Sequence, residues 1–525
     1  MNVPHANRYI GHGYIGPKTA GRPAHNIRAG RFAASFPLLD KVLATHAAPL
    51  MILPCAILSA WYSINLGVSV LYVLVLWTAY RIDRRHLDTL LITPLSALAI
   101  YWFISLGLGP AFLSISKGGE SAPELVVVQI VGLFGFTVFA GIYHLQCRRL
   151  PAIQLPRAES PGARSFYPAL RRVALSMVAF TLAVMLIRVI TGIGERGHVG
   201  AELDVELKGD IRVAFLAALY RFDLLGVMFT GLLIRSNRIM DRVLGFVAIG
   251  VYLVFGFTSG TRGLVLHSLV AFLCGYYAFG GSARAVKAVL LAGVVVGVPL
   301  ISLMGVMRMS QDFYYSRISD VTTRLEVARD ALSSIRAGDI ANTLDLTGRA
   351  LIGVSDELVY RDTPGVLPFA GWKGLAAVKL VLIPHFFRPG TDDLGDENEI
   401  VSSYTGVRIE RSYWTISFFA DMYRRFGIPG IVVGSMLAGW FYGTVSAFVM
   451  GLFHSRRKLY GMVMLMLMMA AYSLFPFSTL LRCSWLWFYD IPKHLLVLAA
   501  LIMVVESTIP YARPAIESQA RVGHA

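Results

Sequence analysis

The chain has 525 residues, 56% of them hydrophobic and only 15% charged, with a formal net charge of +16. Soluble domains carry about 25% charged residues. A mean hydropathy of +0.61, with repeated apolar runs close to the ~20 residues that a bilayer-spanning helix needs, excludes an ordinary soluble enzyme and indicates a polytopic membrane protein.

Residues 1–46 are rich in Gly, Arg and His and lack the apolar core of a signal peptide, so they read as a retained, disordered tail. About twelve apolar segments follow, at 47–63, 66–80, 90–109, 124–146, 173–193, 211–234, 243–258, 263–280, 286–307, 428–451, 460–480 and 491–508. The first two meet at Asn65-Leu66-Gly67 and are expected to form a tight helical hairpin. With the N-terminus placed in the cytoplasm, the cytoplasmic loops and tails hold 25 Lys and Arg residues and the short opposite loops hold 5. That asymmetry is the positive-inside rule. It accounts for the basic charge without nucleic acid and puts both termini (the second at 509–525) in the cytoplasm. The four cysteines lie far apart without metal-ligand spacing, and no metal or cofactor is expected.

The hydrophilic interval 308–427, between spans nine and ten, then falls on the extracytoplasmic face. Residues 320–338 and 341–362 have helical apolar spacing and cap-like starts. Residues 371–387, "GWKGLAAVKLVLIPHFF", are too short to span and read as an interfacial or re-entrant helix ended by Pro384. Beyond it come His385, Arg388 and five acids within eight residues, from Asp392 to Glu399. Arg221 and Asp223 fall inside an expected span. Such intramembrane charges cost about 2.5–3.5 kcal/mol on insertion scales and mark pairs or cavities. Arg262, Arg308, Arg317, Arg388, Arg408, Arg411, Arg424 and Arg425 gather along the outer face, and guanidinium forks match phosphate oxygens. Arg424 and Arg425 read equally well as membrane-interface anchors.

Three stretches resemble a family: "FGFTSGTRG" (255–263), "LVLIPHFFRPG" (380–390) and "WTISFFADMYRRFGIPGIVVGSMLAGWFYG" (414–443). Together they look like the bacterial exopolysaccharide and O-antigen repeat-unit polymerases (Wzy type), although "RPGTDDLG" stands where members often show a "WPDKP"-like run. The resemblance implies an all-α, polytopic, GT-C-like membrane protein of about twelve spans in the bacterial inner membrane. Its large loop would join undecaprenyl-diphosphate-linked oligosaccharides and release undecaprenyl diphosphate. Chain-length regulators and export machinery are the implied partners. The chemistry needs fixed positive charge for the leaving diphosphate, for which Arg262, Arg308, Arg388 and Arg411 are the candidates. It also needs a base for the attacking hydroxyl, for which His385, Glu410 and Asp421 are the candidates. Tyr404, Tyr413 and Trp414 are candidates for stacking on sugars. A flippase of lipid-linked oligosaccharides, a related glycan ligase and a structural partner of an export machine are the competing readings.

Overall fold

The computed structural model describes residues 47–83, 93–148, 161–191, 223–236, 238–259, 310–317, 319–334, 356–373, 402–404, 416–454 and 479–485, with scattered single residues between 265 and 503. Among these there is no strand, and six helices are long and apolar enough to cross a membrane. Four expected spans (263–280, 286–307, 460–480 and 491–508) lie mostly outside the described residues. Both tails and the acidic run 392–399 lie wholly outside them.

The first helical pair is α1 (Ala47–Tyr62) and α2 (Ile64–Asp83). The chain reverses at Ser63, two residues before the expected turn. Gly67 serves a different purpose: a Cβ there would meet the Ala60 Cβ at 2.6 Å and the Ala56 carbonyl at 2.8 Å. Its bare backbone lets the two helices touch. The next span is composite, with α3 (Pro94–Trp102), a π-helical turn (Phe103–Leu108) and α4 (Gly109–Ser116). Thr93 caps α3 by accepting from the Ser96 amide at 3.0 Å, and the Thr93 and Ser96 hydroxyls both donate to the buried Asp83.

Helix α5 (Pro123–Cys147) is the centre of one group of helices. Its buried Gln129 donates to the Leu106 carbonyl in the π-turn and to Ser69, both at 2.9 Å, and accepts from Asn65 at 3.1 Å. A π-helical turn displaces carbonyls from the usual ladder, and here a side chain from a neighbouring helix takes one of them. A second group joins α6 (Pro161–Thr191), α7 (Asp223–Ile234) and α8 (Ile239–Thr258). Arg171 grips Asp241 with two nitrogens, at 2.6 and 2.7 Å. One continuous apolar core joins both groups. The described helix-end arginines Arg81, Arg148, Arg235, Arg238 and Arg242 lie at the ends of α2, α5, α7 and α8 that an alternating chain brings to one side. We call this the basic end. The other, carrying the Ser63–Ser121 hydroxyl pair at 3.0 Å, is the loop end.

In chain order there follow α9 (Gln311–Tyr315), α10 (Val321–Ser334) and α11 (Asp356–Asp362), then α12 (Phe418–His454) and α13 (Leu480–Trp485). The expected helix at 320–338 is α10, started by Asp320, which accepts from the Thr323 amide and hydroxyl. Buried Arg324 fastens α10 to α8 by donating to the Thr258 carbonyl at 2.5 Å. Of the expected helix at 341–362, α11 is the described continuous part; of the one at 371–387, only 371–373 are described, as a turn.

The 37-residue α12 is not a straight rod. Gly427 has φ 64° and ψ −151°. A Cβ on Gly434 would meet Met422 at 2.7 Å and Phe418 at 3.1 Å, and one on Gly430 would fall on the Met422 carbonyl. Residues twelve apart in a straight helix are separated by about 18 Å, so the chain doubles back at Gly427. A short arm, 418–426, rises to the turn, and a descending helix, 428–454, crosses the bundle alongside α5. Gly439 packs on the Phe139 carbonyl and Gly443 on Gln146. Gly supplies the positive φ, and Pro429 sits in the first turn of the descending helix, where its missing N–H costs nothing.

Gly67→Val is expected to overpack the α1–α2 contact by about 1–3 kcal/mol and lower the thermal midpoint in detergent. Gly141→Ala, which meets nothing within 4 Å, should leave it unchanged. Equal midpoints for the two variants would contradict the close packing described.

Candidate functional site at the loop end

The arm 418–426 carries "FFADMYRRF", whose Asp421, Arg424 and Arg425 fall on one helix face by their i, i+3 and i+4 spacing. Asp421 is fully buried. Its Oδ1 accepts from Arg424 Nη2 at 2.7 Å and Arg425 Nε at 3.1 Å, and its Oδ2 accepts from the Leu480 amide at 2.9 Å. Arg425, 4% exposed, also donates to the Lys373 carbonyl at 2.7 Å and the Gly371 carbonyl at 3.2 Å. It is an interior residue, not an interface anchor. Arg424 is more open, with 14% of its side chain exposed, and bonds only Asp421 among the described residues. Two guanidinium groups share one carboxylate, so the cluster keeps an excess positive charge in a partly desolvated place.

The start of the arm is held by a second acid. Ser417 caps it by accepting from the Ala420 amide at 3.1 Å. Asp356 on α11 in turn accepts from the Ser417 amide at 2.7 Å and from its hydroxyl. Asp356 is 3% exposed, and burial pushes its carboxyl up to about 7 against the opposing pull of the two Ser417 bonds. Neighbouring Glu357 is also raised, by burial first. Val359, Ile416 and Ala420 form a small apolar core beside them, with Tyr360, Ile400, Tyr404 and Tyr423 around it. At the other end of the arm, the Ala370 and Gly371 amides donate to the Arg424 and Arg425 carbonyls at 2.9 and 3.1 Å. The arm's last turn is thereby satisfied, as a buried helix end requires.

Of the expected site residues, two are described. Asp421, a candidate base, has its oxygens engaged by the Arg424, Arg425 and Leu480 N–H groups; accepting a proton from a sugar hydroxyl would require displacing one of these. Tyr404, a candidate for stacking on sugars, is half-buried; its hydroxyl pairs with Thr363 Oγ1 at 2.8 Å, and burial raises its phenol above the ordinary value. His385, Glu410, Arg262, Arg308, Arg388, Arg411, Tyr413 and Trp414 lie outside the described residues. One residue that matters here is absent from the sequence-based candidates. Asp356 gave no signal beyond an acid at the start of an apolar helical pattern. The Asp421–Arg424–Arg425 cluster was legible as an acid followed three and four residues later by arginines. Among the described residues, no group of three His, Cys, Asp or Glu side chains is placed to hold a metal ion.

Comparison with known proteins found no matching family model, no matching curated protein and no matching solved structure.

Two outcomes are expected. Arg425→Gln should lower the thermal midpoint more than Arg424→Gln, because Arg425 is more buried and holds the 371–373 carbonyls; the reverse order would contradict this geometry. Asp356→Asn should change the pH dependence of stability. The folded carboxyl lies near 7, above its unfolded value near 3.9, so the folded state binds the extra proton between them. Wild-type stability therefore falls as pH rises from about 4 to about 7. The advantage of Asp356→Asn over wild type should grow across that window and level off above it; a gap independent of pH would refute the assignment.

Proposed function

We propose that this chain is a glycan polymerase of the bacterial inner membrane, acting on undecaprenyl-diphosphate-linked oligosaccharides at the extracytoplasmic face. In this reading the loop end faces outward, both termini are cytoplasmic, and the fold is a GT-C-like bundle of about twelve spans with the large loop at 308–427. The observation that carries the proposal is the arm 418–426, which holds a doubly cationic, singly anionic cluster beside that loop. It lies within the stretch that resembles the polymerase family.

The reaction transfers the growing glycan from its diphosphate carrier to a hydroxyl of the incoming unit. The glycosyl–oxygen bond to diphosphate breaks, a new glycosidic bond forms, and undecaprenyl diphosphate leaves with its electron pair. The bond that breaks supplies the energy, so neither ATP nor a sugar nucleotide is required. Fixed guanidinium groups favour the charge that develops on the departing diphosphate. Arg424 is suited to this because it is partly open. Arg262, Arg308, Arg388 and Arg411 are the companion candidates, with His385, Glu410 or Asp421 as the proton acceptor and Tyr404, Tyr413 and Trp414 beside the sugars. A single displacement would invert the anomeric centre, and no metal is needed. A chain-length regulator and export machinery would act with it.

One observation favours a second reading. Folded-back and interrupted helices also build substrate sites in transporters, and both the arm and the π-turn are of that kind. A flippase for the same lipid-linked oligosaccharides is therefore the alternative.

Purified protein in nanodiscs, given lipid-linked repeat units without nucleotide or added metal, is expected to produce a ladder of glycan lengths. Arg262→Ala, Arg411→Ala and Arg424→Ala should each reduce it by about 100-fold or more, the scale for removing a charge-stabilising group. Folded protein that yields no ladder but moves the lipid-linked substrate between leaflets of a vesicle would replace the polymerase by the flippase.

A further inference from the structure

After α11, residues 364–373, "PGVLPFAGWK", cross the tip of the arm. One side of this segment binds the arm through its backbone, by the Ala370 and Gly371 amides and the Gly371 and Lys373 carbonyls already described. The other side is largely exposed. Val366 is 75% exposed and Trp372 is 77% exposed, with Phe369 and Lys373 also open. Three large apolar side chains exposed within seven residues form a patch that a water-facing loop would not ordinarily keep.

The patch is continuous with a surface that meets lipid. The Phe369 ring lies 3.3 Å from where a Cβ on Gly427 would stand, and Trp372 packs edge-on against Phe426 with ring centroids 5.0 Å apart. Just past the Gly427 turn, exposed Pro429 opens the face of the descending helix that also exposes Val433, Leu437 and Trp440. That face belongs to a helix of membrane-spanning length and apolarity, and acyl chains would cover it where the helix crosses a bilayer. The patch extends this stripe past the top of the helix and ends in a Trp–Lys pair. Tryptophan favours the membrane–water boundary, and lysine can bury its stem while its ammonium reaches the headgroups.

We propose that residues 364–373 form a lipid-inserting wedge, seated among the headgroups and upper acyl chains of the leaflet at the loop end. Through its backbone bonds it holds the arm, and with it Arg424 and Arg425, at a set depth. The occupant of the patch is the bilayer surface itself. This inference is independent of the polymerase reading, since it requires only that the descending helix crosses a membrane.

The test uses full-length protein with Val366→Cys or Trp372→Cys, each labelled with an environment-sensitive fluorophore. The signal of the unsubstituted protein, which has its own cysteines, is subtracted. Asp330→Cys on the exposed face of α10 serves as the water-facing control. The variants are placed in phosphatidylcholine–phosphatidylglycerol nanodiscs, some with nitroxide near the top of the phosphatidylcholine chains. Labels at 366 and 372 are expected to lose fluorescence to the nitroxide lipid and to be protected from aqueous iodide, with the opposite pattern at 330. Quenching of both test positions by iodide alone would overturn the wedge. So would shielding from both quenchers, which would mean that protein, such as a second copy of the chain, covers the patch. Both test positions are exposed, and Val366→Cys leaves the Trp372–Phe426 contact in place, so agreement between them separates insertion from a local artefact.

Discussion

The Asp421 carboxylate is the interaction on which the loop end depends. An isolated charge in the bilayer interior costs several kcal/mol, and a buried carboxylate survives only if nearly all of its lone pairs are met. Asp421 meets this condition by drawing together groups from separate parts of the chain. Arg424 and Arg425 come from its own helix and the Leu480 amide from the start of α13. Through Arg425, the carbonyls of residues 371 and 373 join the same network. Removing the carboxylate would leave two guanidinium groups competing for backbone carbonyls in a place with little water. Asp356 does a smaller version of the same work at the far end of the arm, where it secures Ser417 and so the helix cap.

A positive charge held this way differs from one on a surface loop. The guanidinium of Arg425 is bonded on more than one side and has little freedom to reorient, while Arg424 retains an open edge. Preorganised charge of this kind does not have to be arranged when an anion arrives, which is where electrostatic stabilisation in enzymes gains most of its effect. The Gly427 reversal makes the arrangement possible. A helix running straight through residue 427 would carry Phe418 and Asp421 away from the descending segment, whereas the hairpin folds them back alongside it, with apolar Met422 and Phe418 packed against Gly430 and Gly434.

The spans were legible in the sequence where an apolar run ends at a clear break. Expected segment 124–146 matches Pro123–Cys147, and the expected start at 428 matches the descending helix, because Gly427 and Pro429 interrupt the pattern there. Helix α6 begins ten residues or more before its expected apolar stretch, since hydropathy does not register the polar turns that Arg171 anchors on Asp241. The arm was read as part of a polar loop for a related reason. Three charged residues in nine suppress the apolar signal, although both arginines bond the one aspartate once helical. Asp356 was illegible because its partner, Ser417, is 61 residues away. The turn of the first hairpin was misplaced because Asn65 and Gly67 look like turn residues; one bonds Gln129 and the other admits Ala60.

The hairpin also orders events during biogenesis. Machinery that inserts nascent helices reads apolar length, and within Phe418–Phe448 the long apolar run is the descending helix, not the charged arm that precedes it. The arm cannot settle when it is made. Its loop partners at 370–373 precede it, but the Leu480 amide that completes Asp421 is synthesised 59 residues later. Until that segment arrives, the carboxylate lacks one of its donors. The charged arm is therefore among the last parts of the bundle to be locked, and a chain truncated before residue 480 would leave it unfinished even with every preceding span in place.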